Sequence, residues 1–303
     1  MRLKKSIEKA KKQRQETIHK AKEDALSLET KASLKAETAA PVEHETKVPD
    51  PKETEKPAAE DIINKHECIS PVYSECRAIE LDLNKLAQNK CVCMFPDIPE
   101  AEHYKILRTN IQHRMRENNW NTIMVTSVRP GEGKTLTCIN LAISMARDFH
   151  QTVFLVDFDL RRQKIHKYLN FSSEKGIVDY LVNGNPLKDL IVWPNIEKLT
   201  LISGGKTISD STELLGSPKM KALVQEIKTR YEDRYVIFDI PPILAGADAI
   251  TFAPMVDCIL MVVEEGRTSI QEVKRSLEMI PIEKFLGFVL NKRKRLKNTY
   301  YYY

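Results

Sequence analysis

Thr122-Ile-Met-Val-Thr-Ser-Val-Arg-Pro-Gly-Glu-Gly-Lys-Thr135 is the stretch that decides the fold. Its first six residues are apolar or β-branched and read as a short strand. A glycine-rich turn follows, and then a helical pattern from Thr135 to Phe149. Strand, tight turn and helix form the context in which a phosphate-binding loop works. Gly131 and Gly133 let the backbone curl so that its N–H groups face phosphate oxygens. The helix adds its positive N-terminal end. Lys134 then pairs with the β- and γ-phosphates, and Thr135 offers its hydroxyl to Mg²⁺. The predicted nucleotide contacts are Pro130, Gly131, Glu132, Gly133, Lys134, Thr135 and Leu136. The general G-x-x-x-x-G-K-[ST] pattern asks for glycine at 128, where this chain has Val128.

Four more strand-like runs lie downstream: Val153 to Val156, Tyr235 to Phe238, Cys258 to Val263 and Leu286 to Leu290. Each is nearly continuous in apolar residues, as strands buried on both faces are. Helical patterns at Glu100 to Glu117, Pro218 to Glu232 and Thr268 to Ile280 surround or separate them. Alternating strands and helices predict an α/β fold: a doubly wound, mostly parallel sheet with helices on both faces. Two of the strands end in carboxylates, Asp157 and Asp159 in Phe154-Leu-Val-Asp-Phe-Asp-Leu-Arg161, and Asp239 in Val236-Ile-Phe-Asp-Ile-Pro241. In an open parallel sheet ligands bind at the carboxyl ends of strands. All three acids are therefore expected beside the phosphate-binding loop, where they hold Mg²⁺ or its water and accept a proton.

Composition bounds the rest. The 303 residues carry 47 basic and 42 acidic side chains, a balance that gives no support for a nucleic-acid partner. Residues 1–28 read as a basic amphipathic helix and residues 29–60, rich in Ala, Glu, Lys, Thr and Pro, as a disordered linker. Residues 61–98 form an irregular lead-in, 99–291 the catalytic domain and 292–303 a basic, tyrosine-rich tail. No run approaches the ~20 apolar residues of a membrane span, and the basic N-terminus lacks the apolar core of a signal peptide. A cytoplasmic chain is expected, with its six cysteines reduced. Cys68, Cys76, Cys91 and Cys93 lack the paired C-x-x-C spacing of a zinc site.

Taken together, the loop Ser127 to Thr135, the Asp-x-Asp-x-Arg run at 157–161 and the Asp-x-Pro-Pro run at 239–242 resemble the three Walker motifs of bacterial tyrosine kinases, the BY-kinases. Those loops also lack the first glycine. Glu102-His-Tyr-Lys-Ile-Leu-Arg108 is similar to the family's E-x-x-R-x-x-R oligomerisation helix, with Lys105 at the middle arginine. Asp248 matches a later family aspartate, and Glu213-Leu-Leu215 matches a P-x-E-L-L stretch with Ser211 in place of proline. Asn291 ends a last strand whose asparagine lies near the base, and Tyr300, Tyr301, Tyr302 and Tyr303 resemble the family's phosphoacceptor cluster.

The resemblance covers roughly residues 98–303. It implies an ATP- and Mg²⁺-dependent autokinase of polysaccharide biosynthesis, working in trans within a ring of copies held through Glu102, Lys105 and Arg108. Asp157 is the first choice for the proton acceptor, with Asp159 as substitute. Thr135, Asp157 and Asp239 are the predicted metal ligands, and Lys134 belongs with the three aspartates in the catalytic set. It also implies a membrane-embedded activator of the Wzz-like polysaccharide co-polymerase type, peripheral recruitment to the plasma membrane and a cognate tyrosine phosphatase.

Two alternatives share the same motifs. One is a positioning ATPase of the MinD/ParA kind, which normally carries a second lysine where Arg129 stands. The other is a nucleotide-dependent scaffold of the export complex without turnover.

Overall fold

The structure, a computed structural model, describes residues 76–293 other than Pro96, Phe149, His150 and Glu232. The expected N-terminal helix, the linker and the acceptor tyrosines lie outside the described residues. In chain order the strands are β1 (Arg77–Ala78), β2 (Thr122–Ser127), β3 (Thr152–Asp157), β4 (Val192–Trp193), β5 (Leu199–Ile202), β6 (Arg234–Asp239), β7 (Cys258–Glu264) and β8 (Phe285–Asn291). The four longest helices among the described residues are α1 (Pro99–Glu117), α2 (Lys134–Ala146), α3 (Pro218–Thr229) and α4 (Ile270–Glu278).

The strands form one sheet in the order β1-β4-β5-β3-β6-β2-β7-β8. Every neighbouring pair is parallel except β4 with β5. This is the expected doubly wound, mostly parallel architecture. Alternation along each strand divides the core in two. Ile123, Val125, Val153, Leu155 and Ile237 face α1 and α2, whereas Met124, Phe154, Val156, Val236 and Phe238 face α3 and α4.

Helix α3 shows why the sequence folds this way. Ser217 accepts a hydrogen bond from the Met220 amide, and Pro218 sits in the first turn, where its missing N–H costs nothing. Met220, Leu223, Val224 and Ile227 then fall on one buried face, each stabilising the packed state by about 1.5–3 kcal/mol.

Residues 76–98 are more regular than the sequence suggests. β1 pairs with β4, and a helix over Leu83–Gln88 is capped by Asp82, which accepts from the Asn84 and Lys85 amides. Leu86, Cys91 and Cys93 pack into the core beneath α1 and α2. Burial pushes the Cys91 and Cys93 thiols up to about 12, so they are protonated core residues rather than thiolate ligands.

An aromatic trio fixes the ends of two central strands. Phe158 stacks on Phe238 with centroids 5.3 Å apart, and Phe252 meets both edge-on at 5.1 Å. Phe158 lies between Asp157 and Asp159, and Phe238 precedes Asp239, so this packing also sets where the carboxylates point. Phe238→Ala is expected to cost about 3–5 kcal/mol, read as a lowered urea midpoint. An unchanged midpoint would show that the trio does not hold the strand ends.

Candidate active site

The parallel registers bring the acids together. Asp239 pairs with Val125 on one side and with Asp157 on the other, so β3 and β6 end level with one another and β2 runs two residues further, to Ser127. The phosphate-binding loop springs from β2. Gly131 and Gly133 have φ of +89° and +93°, a region that only glycine enters readily. Gly133 also caps α2. A Cβ there would lie 2.2 Å from Asn291 Nδ2, which donates to the Glu132 carbonyl at 2.8 Å. Gly133→Ala is therefore expected to weaken nucleotide binding by about tenfold or more, measured by titration calorimetry. Wild-type affinity in that variant would remove the loop from nucleotide binding.

A cavity of ≈240 Å³ opens at this edge, with Lys134, Thr135, Asp159, Arg161 and Pro242 among its walls. Lys134 is almost wholly buried, its Nζ 2.8 Å from Asp159 Oδ2 and 3.0 Å from Asp239 Oδ1. Burial alone would depress the ammonium; Asp239 and then Asp159 outweigh it and hold its pKa above the usual lysine range. Lys134 is thus a fixed positive charge at every working pH.

The two acids after β3 have different surroundings. Asp157 is fully buried. Its Oδ1 accepts from the Asp159 amide at 3.2 Å, and its Oδ2 accepts from the Lys164 and Ile165 amides at 3.1 Å each. Burial, then the charge of Asp239, pushes its carboxyl up to about 7. Asp157 does not line the cavity; Asp159 does. Asp159 Oδ1 accepts from the Arg162 amide at 3.0 Å, and its Oδ2 faces Lys134. Burial also raises the pKa of Asp239, against the pull of Lys134. Asp239 Oδ2 is buried without a hydrogen-bond partner.

The other predicted positions are equally specific in placement. Pro130, Gly131 and Gly133 line the cavity. The Glu132 side chain turns inward. It accepts from the Arg129 amide at 2.7 Å, from the Glu264 amide at 3.3 Å and from the Thr268 hydroxyl, and so ties the loop to the end of β7. Leu136 packs against the core below α1 and α2. On α1, Lys105 pairs with Glu102 at 2.9 Å along the helix surface. Arg108 instead reaches inward and donates to the Ser144 carbonyl at 2.8 Å, in the last turn of α2, where a cation is favourable.

The motifs name several residues without saying what they touch. Arg161 donates to Ser211 Oγ at 2.6 Å and to Thr212 Oγ1 at 3.2 Å, and it pairs with buried Asp248 at 3.4 Å. Ser211 in turn donates to Asp248 at 2.5 Å, so the serine at the family's proline position bridges the two charges. Lys292 Nζ donates to the Gly131 carbonyl at 2.6 Å, placing the start of the tail against the loop. Both contacts join segments remote in sequence, and no local pattern announces them.

Residues 120–285 match the AAA domain family. The tyrosine-protein kinase YwqD of Bacillus subtilis is 30% identical over 222 residues, 73% of this chain and 92% of that protein. The tyrosine-protein kinase CpsD of Streptococcus agalactiae is 33% identical over 202 residues, 66% of this chain and 86% of its own length. Among solved structures, the kinase domain of the Escherichia coli tyrosine kinase ETK has a TM-score of 0.62 at 29% identity, over 70% of this chain and 84% of that one.

Proposed function

The chain belongs to the family of bacterial tyrosine-protein kinases, and on that premise we propose that it phosphorylates the tyrosines of its own tail, Tyr300 to Tyr303, between copies. The observation that carries this reading is the convergence of Lys134, Asp159 and Asp239 at the edge of one cavity. Phosphoryl transfer asks chiefly for alignment and charge neutralisation, and a fixed cation flanked by two carboxylates supplies both.

Lys134, with the loop amides, holds the phosphates of ATP. The tyrosine oxygen forms the new bond to the γ-phosphorus as the bond to the β-phosphate oxygen breaks and ADP leaves. The phenolic proton passes to Asp159, the carboxylate that faces the cavity. A phenol with a pKa near 10 gives up its proton late in such a loose transition state. Asp157 acts one step back, because the three amides on its oxygens fix the loop from which Asp159 projects. Thr135 and Asp239 are oxygen donors of the kind Mg²⁺ prefers, and the unpartnered Asp239 Oδ2 fits a metal ion or its water. Mg²⁺ bound there would neutralise charge on the phosphates. Asn291, whose side-chain amide donates to the Glu132 carbonyl, is the residue this reading assigns to the base.

The twelve residues after Asn291 span at most about 40 Å when extended, enough to enter a neighbour's cavity in a ring. Glu102, exposed on α1, and half-buried Lys105 are the ring contacts this reading uses; Arg108 supports them from within. Transfer in trans is tested by mixing two variants, Lys134→Met with its tail intact and a catalytically intact chain with Tyr300 to Tyr303 all changed to Phe. Phosphotyrosine on the first is the expected result; its absence, with an active wild-type control, would restrict transfer to within one chain.

Among the described residues no helix is long and apolar enough to cross a membrane. We extend the proposal to peripheral recruitment at the plasma membrane by a Wzz-like co-polymerase activator. Control of capsular or exopolysaccharide synthesis and export follows, with a cognate phosphatase resetting the tail.

A further inference from the structure

The loop after β3 shapes a second concavity that phosphoryl transfer leaves unused. A groove of ≈330 Å³ adjoins the catalytic cavity and shares Arg161, Arg162 and Lys164 with it. Gln163, His166 and Lys167 line it further, and no carboxylate does. Arg161 is already engaged by Asp248. The side chains of Arg162, Lys164 and Lys167 are exposed and form no ion pair among the described residues. Gln163 Oε1 and His166 Nδ1 are buried there without partners. The groove floor is built to hold Gln163: its Nε2 donates to the Lys206 carbonyl at 3.1 Å, and a Cβ on Gly204 would come within 2.4 Å of its amide carbon.

Three exposed cations in one concavity, with no ion-pair partner among the described residues and no carboxylate lining it, call for an anion with several acceptor oxygens. Its position narrows the choice. On the proposed function four consecutive tyrosines enter a neighbour's cavity in turn, and in an extended segment residues two apart lie on the same side, about 7 Å from each other. A tyrosine already phosphorylated therefore reaches the groove while another enters the cavity. The unmodified tail carries Lys292, Arg293, Lys294, Arg295 and Lys297, which a cationic groove repels. Each phosphate adds about −1.5 to −2 charges and reverses that repulsion locally.

We propose that this groove binds a phosphotyrosine of a partly modified tail, so that the first phosphate strengthens the hold on the segment and favours the next transfer. The inference rests on tail phosphorylation as the function. It is tested by fluorescence anisotropy on the full chain with its nucleotide site filled by a non-hydrolysable ATP analogue and Mg²⁺. The probes are labelled peptides of residues 292–303, unmodified or phosphorylated at Tyr302. The phosphopeptide is expected to bind about tenfold tighter, and Lys167→Glu, outside the catalytic cavity, is expected to remove most of that advantage while transfer to the unmodified peptide persists. Equal affinity for the two peptides would overturn the proposal, as would an advantage that survives in Lys167→Glu. An advantage seen only with the nucleotide site empty would also overturn it, by placing the phosphate in the loop. The binding measurement needs no turnover, so a chain that binds the phosphopeptide yet never phosphorylates its tail would sink the kinase reading and leave the groove standing.

Discussion

Lys134→Met is expected to lower phosphotransfer by on the order of 10²–10³. The methionine keeps the aliphatic stem but removes the one charge that Asp159 and Asp239 share at 2.8 and 3.0 Å. In the free chain two buried carboxylates then face each other without a cation, and at least one takes up a proton. Breaking a buried pair from one side is costly, so stability falls by about 3 kcal/mol. Far-ultraviolet circular dichroism should still report a folded chain at room temperature. Transfer at wild-type rates would mean that the loop lysine does not touch the phosphates.

The second large effect separates the two acids after β3. Asp159→Asn removes the proton acceptor and one partner of Lys134, with a kcat loss of about 10²–10⁴. Its fold should change little, because the Arg162 amide retains an acceptor. Asp157→Asn acts the other way round. An amide nitrogen replaces one oxygen in a pocket where three backbone N–H groups converge. At least one of those donors loses its acceptor, at about 1–3 kcal/mol, so thermal stability drops first and activity follows it. Paired measurements of kcat and thermal midpoint decide the matter. If Asp157→Asn were inactive at full stability while Asp159→Asn remained active, the roles would be reversed.

The difference between these two aspartates also marks where reading the sequence stops. Alternation would put residues two apart on one face, but β3 ends at Asp157 and the loop decides: the Lys164 and Ile165 amides capture Asp157 and leave Asp159 facing the cavity. Strands β2, β3, β6 and β7 were legible because each is a continuous apolar run buried on both faces, and β8 because it is the same kind of run, although at the edge of the sheet Phe288 and Leu290 are left exposed. β5 was not, since Leu-Thr-Leu-Ile at 199–202 is short and contains a polar residue. β1 and β4, of two residues each, exist only through their neighbours. Glu132 illustrates the same limit at the site. Its place in the loop predicts a nucleotide contact, whereas its carboxylate is spent on Thr268, 136 residues away. Arg108 looks like a surface cation by helical spacing, yet it ends on the Ser144 carbonyl because α1 packs along α2. The phosphate-binding loop and the three strand-end acids were legible because their chemistry is local; their partners were not, because tertiary packing supplies them.

The most direct test of the central claim is to incubate the full chain with ATP and Mg²⁺, with and without the cytoplasmic segment of a co-polymerase activator, and to map phosphotyrosine by mass spectrometry. The account predicts phosphate on Tyr300 to Tyr303 that disappears in Lys134→Met. Steady release of inorganic phosphate with no phosphotyrosine under any activator condition would contradict it and point instead to a positioning ATPase.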